Sequence, residues 1–570
     1  MKNNSWKILC CTIVMALIGI GIGGCGPSTS TTVAPVTTEI TAPTAPVAPV
    51  VPTDTSLPPT PTAAPPKVLT IAIPNQYSDT FDIAAQIYAM EPTQMIYDGL
   101  VTMDWDYHIQ PGLAESWDVS EDGKQVTFHL KQGVKFTDGS PFNAEVVKWW
   151  VELMISDVST VAYMYKSIKE VEVIDDYTAI FHLEKPYPAL FWYLSGAWGL
   201  IMSKQAYESE GADYPTHPVG SGPFILKEWV QNDHLTLVKN PDYNWAPAWT
   251  GHTGPANIDT IIYRIIPEDA TRLVELEAGN VDLLLDAPWR EIPTYQENPD
   301  YQVISTPDAT IYFIGMNVIE PLVADLRTRQ AIGYAIDRDL IKDTFFIGLG
   351  EAKTTYLASQ MASDKGVAAV APSYDPEKAA ELLKEAGWEM GNDGILVAKN
   401  VTGVPAGTKF EVSYWTYNED EAKRLAEATQ KMLSDIGIKA NIELMDKSTY
   451  DGKLEAGGCQ VILRKYTWDG EDILPWFHAA YNLPYPNYLN VNDPALDKMF
   501  DDSEYAVATW DEREASFTEA HKYLIQTWYP WAPFYQRPAV WIAHSYVDIS
   551  TVSLRAGMST EVWSTADINK

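Results

Sequence analysis

Thiols are scarce in this chain. Its 570 residues contain four cysteines: Cys10 and Cys11 lie in an apolar leader, Cys25 stands at the leader's end, and Cys459 is the only one beyond it. The body therefore cannot close an intramolecular disulfide, and its stability has to come from a packed core. Basic residues are also short, with 40 Lys and Arg against 76 Asp and Glu, for a formal charge of −36. So acidic a surface excludes nucleic acid as a partner and excludes an electrostatic grip on anionic lipid. The nine histidines are scattered without metal-ligand spacing. The H-E-x-x-H, G-x-S-x-G, phosphate-loop and dinucleotide glycine patterns are all missing. No cofactor is implied. Beyond the leader no stretch reads as membrane-spanning, and no repeat of solenoid period occurs.

What is present begins with the leader. Lys2 and Lys7 precede an apolar run from Ile8 to Ile22 that ends in Gly23-Gly24-Cys25. A cationic start, a short apolar segment and small residues before a cut site describe a secretory signal over residues 1–24. The run is too short and too rich in glycine for a spanning helix, which needs about 20 apolar residues. Gly-Gly-Cys resembles the lipobox of bacterial lipoproteins, which makes Cys25 the lipidated first residue of the mature chain and places the rest outside the cytoplasm. Loss of Lys2 and Lys7 takes the charge from −36 to −38. Residues 25–66 read as a tether: 22 of the 41 residues after Cys25 are Thr or Pro, and only Glu39 and Asp54 are charged. Such a segment has nothing to bury and stays extended.

From Lys67 the composition turns globular, and about 500 residues exceed what one core usually serves. Val68–Ile73, Gln125–Leu130 and Thr178–Leu183 read as strands, the last two with period-2 alternation. Helical periodicity runs through 144–154, 269–278, 327–341, 376–386 and 419–436. Asp375-Pro376 is a cap followed by a first-turn proline, and Gly387 and Gly437 close two of the helices. Strands interleaved with helices predict an α/β architecture. An extended run before a helical segment places a domain boundary near Gly315-Met316-Asn317.

Short motifs in a fixed order are similar to the bacterial extracellular solute-binding proteins of family 5, which includes dipeptide- and oligopeptide-binding proteins. They are Tyr97–Val101, Pro111–Trp117, Asp122–Lys124, Leu130–Pro141, Pro218–Phe224, Asn240–Tyr243, Leu276–Asp282, Arg329–Arg338 and Tyr374–Trp388. By their composition they make turns and loops; Arg272 beside Glu275 and Arg338 beside Asp337 read as solvated or locally paired. The resemblance implies two α/β lobes joined by a hinge, with a subdomain inserted in the first. Lobe one would comprise 67–100, 191–315 and 525–570, the inserted subdomain 101–190, and lobe two 316–524. It also implies a monomer that closes on a peptide-like ligand and delivers it to the membrane subunits of an ABC importer, at the cell surface or in the periplasm.

A binder of varied peptides must grip a terminal ammonium, and a buried carboxylate suits that task. In Tyr466-Thr467-Trp468-Asp469-Gly470-Glu471-Asp472 the resemblance assigns the ammonium to Asp469, three positions after Tyr466, with Asp472 as the competing candidate. Trp468 departs from the small residue that peptide binders often carry there. Arg464 is a candidate for a ligand carboxylate, although the family's basic residue aligns one position away. Tyr414, Trp415 and Tyr417 form an aromatic triple after a strand, a pattern found more often in a core than in a cleft. Trp468 and Trp476 keep an oligosaccharide ligand open. The adjacent Glu471 and Asp472 leave a secreted hydrolase as the reading from another class.

Overall fold

The computed structural model describes residues 65–76, 78–86, 91–104, 108–468, 470–549 and 565–569. Asn143 starts the helix Ala144–Met154 by accepting the Val146 N–H on its side chain, and Ala144, Val147, Trp150, Val151 and Met154 bury one face. Asp375 caps Pro376–Glu385 in the same way. Asp420–Asp435 buries Ala422, Leu425, Ala426, Thr429 and Leu433, and Gly437 follows it at φ 85°. The periodic stretch 327–341 is two helices, Leu326–Ala335 and Arg338–Phe345. The break arises because Asp337 turns extended and accepts the Leu340 N–H, which caps a second helix inside an apolar rhythm that does not change.

Eleven strands form one sheet among the described residues. Its path runs through Lys439–Met445, Glu411–Tyr417, Val461–Thr467, Tyr301–Met316, Trp531–His544, Leu283–Leu284, Val68–Ile73, Thr260–Ile265, His234–Lys239 and Phe224–Val230, with Glu351–Ala352 on the edge of Trp531–His544. The two long antiparallel strands at its centre carry the chain between two lobes. Their pairing breaks where Pro307 faces Pro538, and it resumes at Ile311 opposite Gln536. Two facing prolines have no N–H to donate, so the ladder cannot continue there. Residues 308–310 bulge against Arg537 alone.

Two large cores flank the break. The first holds Leu69, Ile71, Ile261 and Tyr263 together with Phe128, Trp150 and Phe181. The last three come from a four-stranded antiparallel sheet, Ala114–Val119, Gln125–Leu130, Thr178–Leu183 and Ile168–Asp175, and from its helix. The second core spans residues between Ala309 and Tyr535. The two arginines expected to be solvated or locally paired are both buried, and neither pairs with the neighbour named for it. Arg272 donates to the carbonyls of Ile266 and Pro267 at 2.9 and 3.0 Å. Arg338 donates to those of Lys353 and Pro533, both at 2.9 Å. Arg272 also pairs with Asp269 three residues before it, at 2.6 Å, while Glu275 pairs with Arg264.

Candidate functional site

Strand Val461–Thr467 runs out beside the bulge, where the Trp468 N–H bonds the Ala309 carbonyl at 3.3 Å. The loop that follows folds on itself. Trp468 Nε1 donates to Asp472 Oδ1 at 2.9 Å, and the Trp468 ring lies 6.1 Å from that of Trp476, which is exposed. An added Cβ at Gly470 would sit 2.3 Å from Oδ1 of Asp472 and 3.6 Å from the indole nitrogen of Trp192 in the other lobe. Glycine is what lets the Asp472 carboxylate approach, with Trp192 at van der Waals distance beyond it. Burial pushes the Asp472 carboxyl up to about 6; the Trp468 hydrogen bond opposes this, and the neighbouring Glu504 reinforces it.

Asp469 lies outside the described residues, as does Cys25. The other expected ligand residues are engaged by the protein. Tyr466 is sandwiched between Phe313 and Phe477, at 5.5 and 4.1 Å, and its hydroxyl meets that of Tyr488 at 2.6 Å. Arg464 lies over the rings of Tyr450, Tyr466 and Tyr488, with Nη1 3.2 Å from Asp451. Trp415 is buried beneath the Lys453 ammonium at 4.7 Å, and Tyr414 and Tyr417 are core residues. The structure thus brings Trp468 and Asp472 together with Trp192. Tyr466 and Arg464 form a second group that supports the loop from below.

Sequence reasoning missed the device that holds this loop. Glu471 is buried, with one oxygen 2.5 Å from Arg513 Nη1 and the other accepting from Ser363 Oγ at 2.8 Å. Arg513 Nη2 takes Glu504 at 2.8 Å. With both its oxygens occupied, Glu471 is not free to act with Asp472 as a hydrolytic pair. At the bulge, Arg537 pairs with Asp286, the Tyr312 hydroxyl bonds Glu421, and Gln536 Nε2 donates to the Asp308 carbonyl at 2.7 Å. No motif spacing announces these partners, because they come from distant parts of the chain.

Two fully buried histidines lie behind Tyr466. His478 packs on Trp531 at 4.6 Å and donates Nδ1 to the Leu474 carbonyl at 2.9 Å. His521 Nε2 accepts the Tyr356 N–H at 3.0 Å, which requires a bare nitrogen. Burial lowers both to about 3 from an ordinary 6.5. A depressed folded-state value means that the unfolded chain takes the protons first. The contribution is complete above pH 6.5 and is lost as pH falls toward 3. Going from pH 7.5 to pH 4 is expected to remove about 3 kcal/mol per histidine. Urea midpoints measured across that range should fall steeply in the wild type and less steeply in His478→Phe/His521→Phe; equal slopes would contradict the assignment.

Comparison with known proteins agrees with this geometry. The profile of the bacterial extracellular solute-binding proteins, family 5 (middle region), matches residues 108–483. The chain belongs to that family. Within it, the glutathione-binding protein GsiB of Salmonella typhi is 30% identical over 397 residues, covering 69% of this chain and 72% of GsiB. DppA from Helicobacter pylori, solved in complex with the peptide STSA, superposes with a TM-score of 0.65 at 23% identity, over 88% of this chain and 98% of DppA. HbpA2 from Haemophilus parasuis reaches 0.73 at 22% identity, over 88% and 100%. Family membership identifies the body as a two-lobed solute-binding protein.

Proposed function

We propose that this protein is the extracytoplasmic receptor of an ABC importer, tethered through Cys25, and that it captures peptides between its lobes. The observation that carries the reading is the loop 468–472. It lies at the end of a central strand, beside the only proline–proline break in the long two-strand ladder, and Trp192 of the other lobe reaches it. That break, residues 307–311 against 536–538, is the proposed hinge, several residues before the boundary suggested by sequence. Support for a peptide comes from the relatives: GsiB is named for glutathione, itself a tripeptide, and DppA was solved with STSA.

The test is mass spectrometry of whatever co-purifies with residues 67–570, followed by calorimetry against STSA, reduced glutathione and an oligosaccharide panel. Peptide binding with no response to sugars is the expected result; binding of sugars alone overturns the peptide reading. Fatty-acid labelling that persists in Cys25→Ala would refute the anchor.

A further inference from the structure

The lobes touch through aromatic rings beside the candidate ligand loop. On the first-lobe side the chain runs Lys185-Pro186-Tyr187-Pro188 into the helix Ala189–Ser195. On the second-lobe side the helix Pro494–Tyr505 ends, and a four-residue turn leads to the helix Trp510–Thr527, which Thr509 and Glu512 cap reciprocally. Trp192 and Trp510 stack at 5.8 Å with only 2° between their planes. Tyr187 and Tyr505 stack at 6.0 Å and 21°, and the Lys185 ammonium lies 2.9 Å above the Tyr505 ring. Gly123 lies beside the contact: a Cβ there would crowd the Pro186 side chain at 2.9 Å and meet Ala508 Cα at an ordinary 3.6 Å.

Both helices on the second-lobe side bury their own apolar faces, Phe500, Phe517 and Leu524 among them, in the second core. Tyr505 and Trp510 nevertheless pack against the first core. Trp510 is held from below by the Arg513 guanidinium at 5.0 Å, and the Glu471 and Glu504 carboxylates fix that guanidinium in turn. The platform is therefore rigid and continuous with the candidate ligand loop, over which Trp192 projects at Gly470. Aromatic stacks and a cation over a ring are attractive without any third molecule.

We propose that Trp192/Trp510, backed by Lys185, Tyr187 and Tyr505, form a ligand-independent clasp that holds the lobes shut over Gly470–Asp472. By setting the fraction of closed protein, the clasp scales the affinity for every ligand by one factor, because binding competence multiplies intrinsic affinity. The clasp rests on the lobes moving as proposed above, but it does not depend on the ligand being a peptide.

Spin labels at Lys169→Cys in the first lobe and Glu377→Cys in the second report the separation, and Cys459 is fully buried and so stays unlabelled. In protein stripped of ligand by unfolding and refolding, pulsed electron resonance should find a dominant short distance. Trp192→Ala and Trp510→Ala should each lower the short-to-long ratio by about three- to tenfold. The double variant should go little further than either single, because both remove the same contact. Lys185→Ala, an exposed change with no folding risk, should move the ratio in the same direction by a smaller factor. Trp476→Ala should leave it unchanged. Apparent Kd values for STSA and for glutathione should rise by a common factor in each clasp variant. A distance distribution unmoved by all three clasp substitutions overturns the clasp. A distribution that opens with those substitutions, and that no ligand of the panel closes again in the opened variants, sustains the clasp and counts against the proposed function.

Discussion

Replacing Arg513 with methionine is expected to destabilise the body by about 3–5 kcal/mol, read as a lowered urea midpoint. The guanidinium is buried, donates to two carboxylates, and lies over Trp510 and Phe517 at 5.0 and 4.7 Å. Methionine keeps most of the volume, so packing contributes little to the loss. The penalty arises because Glu471, only 1% exposed, keeps a charge with no counterion and retains only the Ser363 hydroxyl. Its surroundings already hold excess negative charge: burial, with the Glu471 charge nearby, pushes the Glu514 carboxyl up to about 7. Two further variants isolate the cause. Arg513→Met/Glu471→Gln should recover a large part of the loss, since the stranded charge goes with its partner. Arg513→Lys should fall between, because one ammonium cannot serve two carboxylates as a fork does. If Arg513→Met lowers stability by less than about 1 kcal/mol, the network does not hold the loop, and the clasp loses its foundation.

How much of this was legible beforehand depends on how local each signal is. The helix 376–385 could be read because cap, period and terminating glycine all lie within one short window, whereas 144–154 lacks the glycine and 420–435 the side-chain cap, so their apolar period carries the reading. The split at Asp337 was hidden because the apolar rhythm runs through it and only a side-chain hydrogen bond marks the new start. The burial of Arg272 and Arg338 is hidden from the sequence because most of their partners are backbone carbonyls, which leave no trace in residue type; only the Arg272–Asp269 pair is local. The loop 466–472 was located by family likeness, yet spacing could not say that Tyr466 turns into an aromatic stack while Trp468 stays with Asp472. Trp192 and Trp510 lie more than 300 residues apart, and nothing in either neighbourhood names the other.

Asp469→Asn is expected to weaken STSA binding by hundreds-fold or more, and Asp472→Asn by far less. If Asp469 opposes the ligand's ammonium, asparagine keeps the size and an accepting oxygen but strands that ammonium in a desolvated site. Breaking one side of such a pair costs about 3–5 kcal/mol, hence the size of the loss. Asp472 differs in two observable ways. Its Oδ1 is already committed to the Trp468 indole, a bond that an asparagine oxygen accepts equally well. Its carboxyl is buried and raised to about 6, which marks a desolvated group held by the protein rather than one presented to a ligand. Acetylating the STSA amine should reproduce the Asp469→Asn loss in the wild type and add little in the variant, because both changes remove the same pair. A ligand held by ring faces instead would lack this coupling, and Trp468→Ala would then be the most damaging of the three substitutions. Calorimetry of the three variants with STSA, acetyl-STSA and an oligosaccharide separates these outcomes. An Asp469→Asn protein that binds STSA as the wild type does would move the ammonium site off the loop.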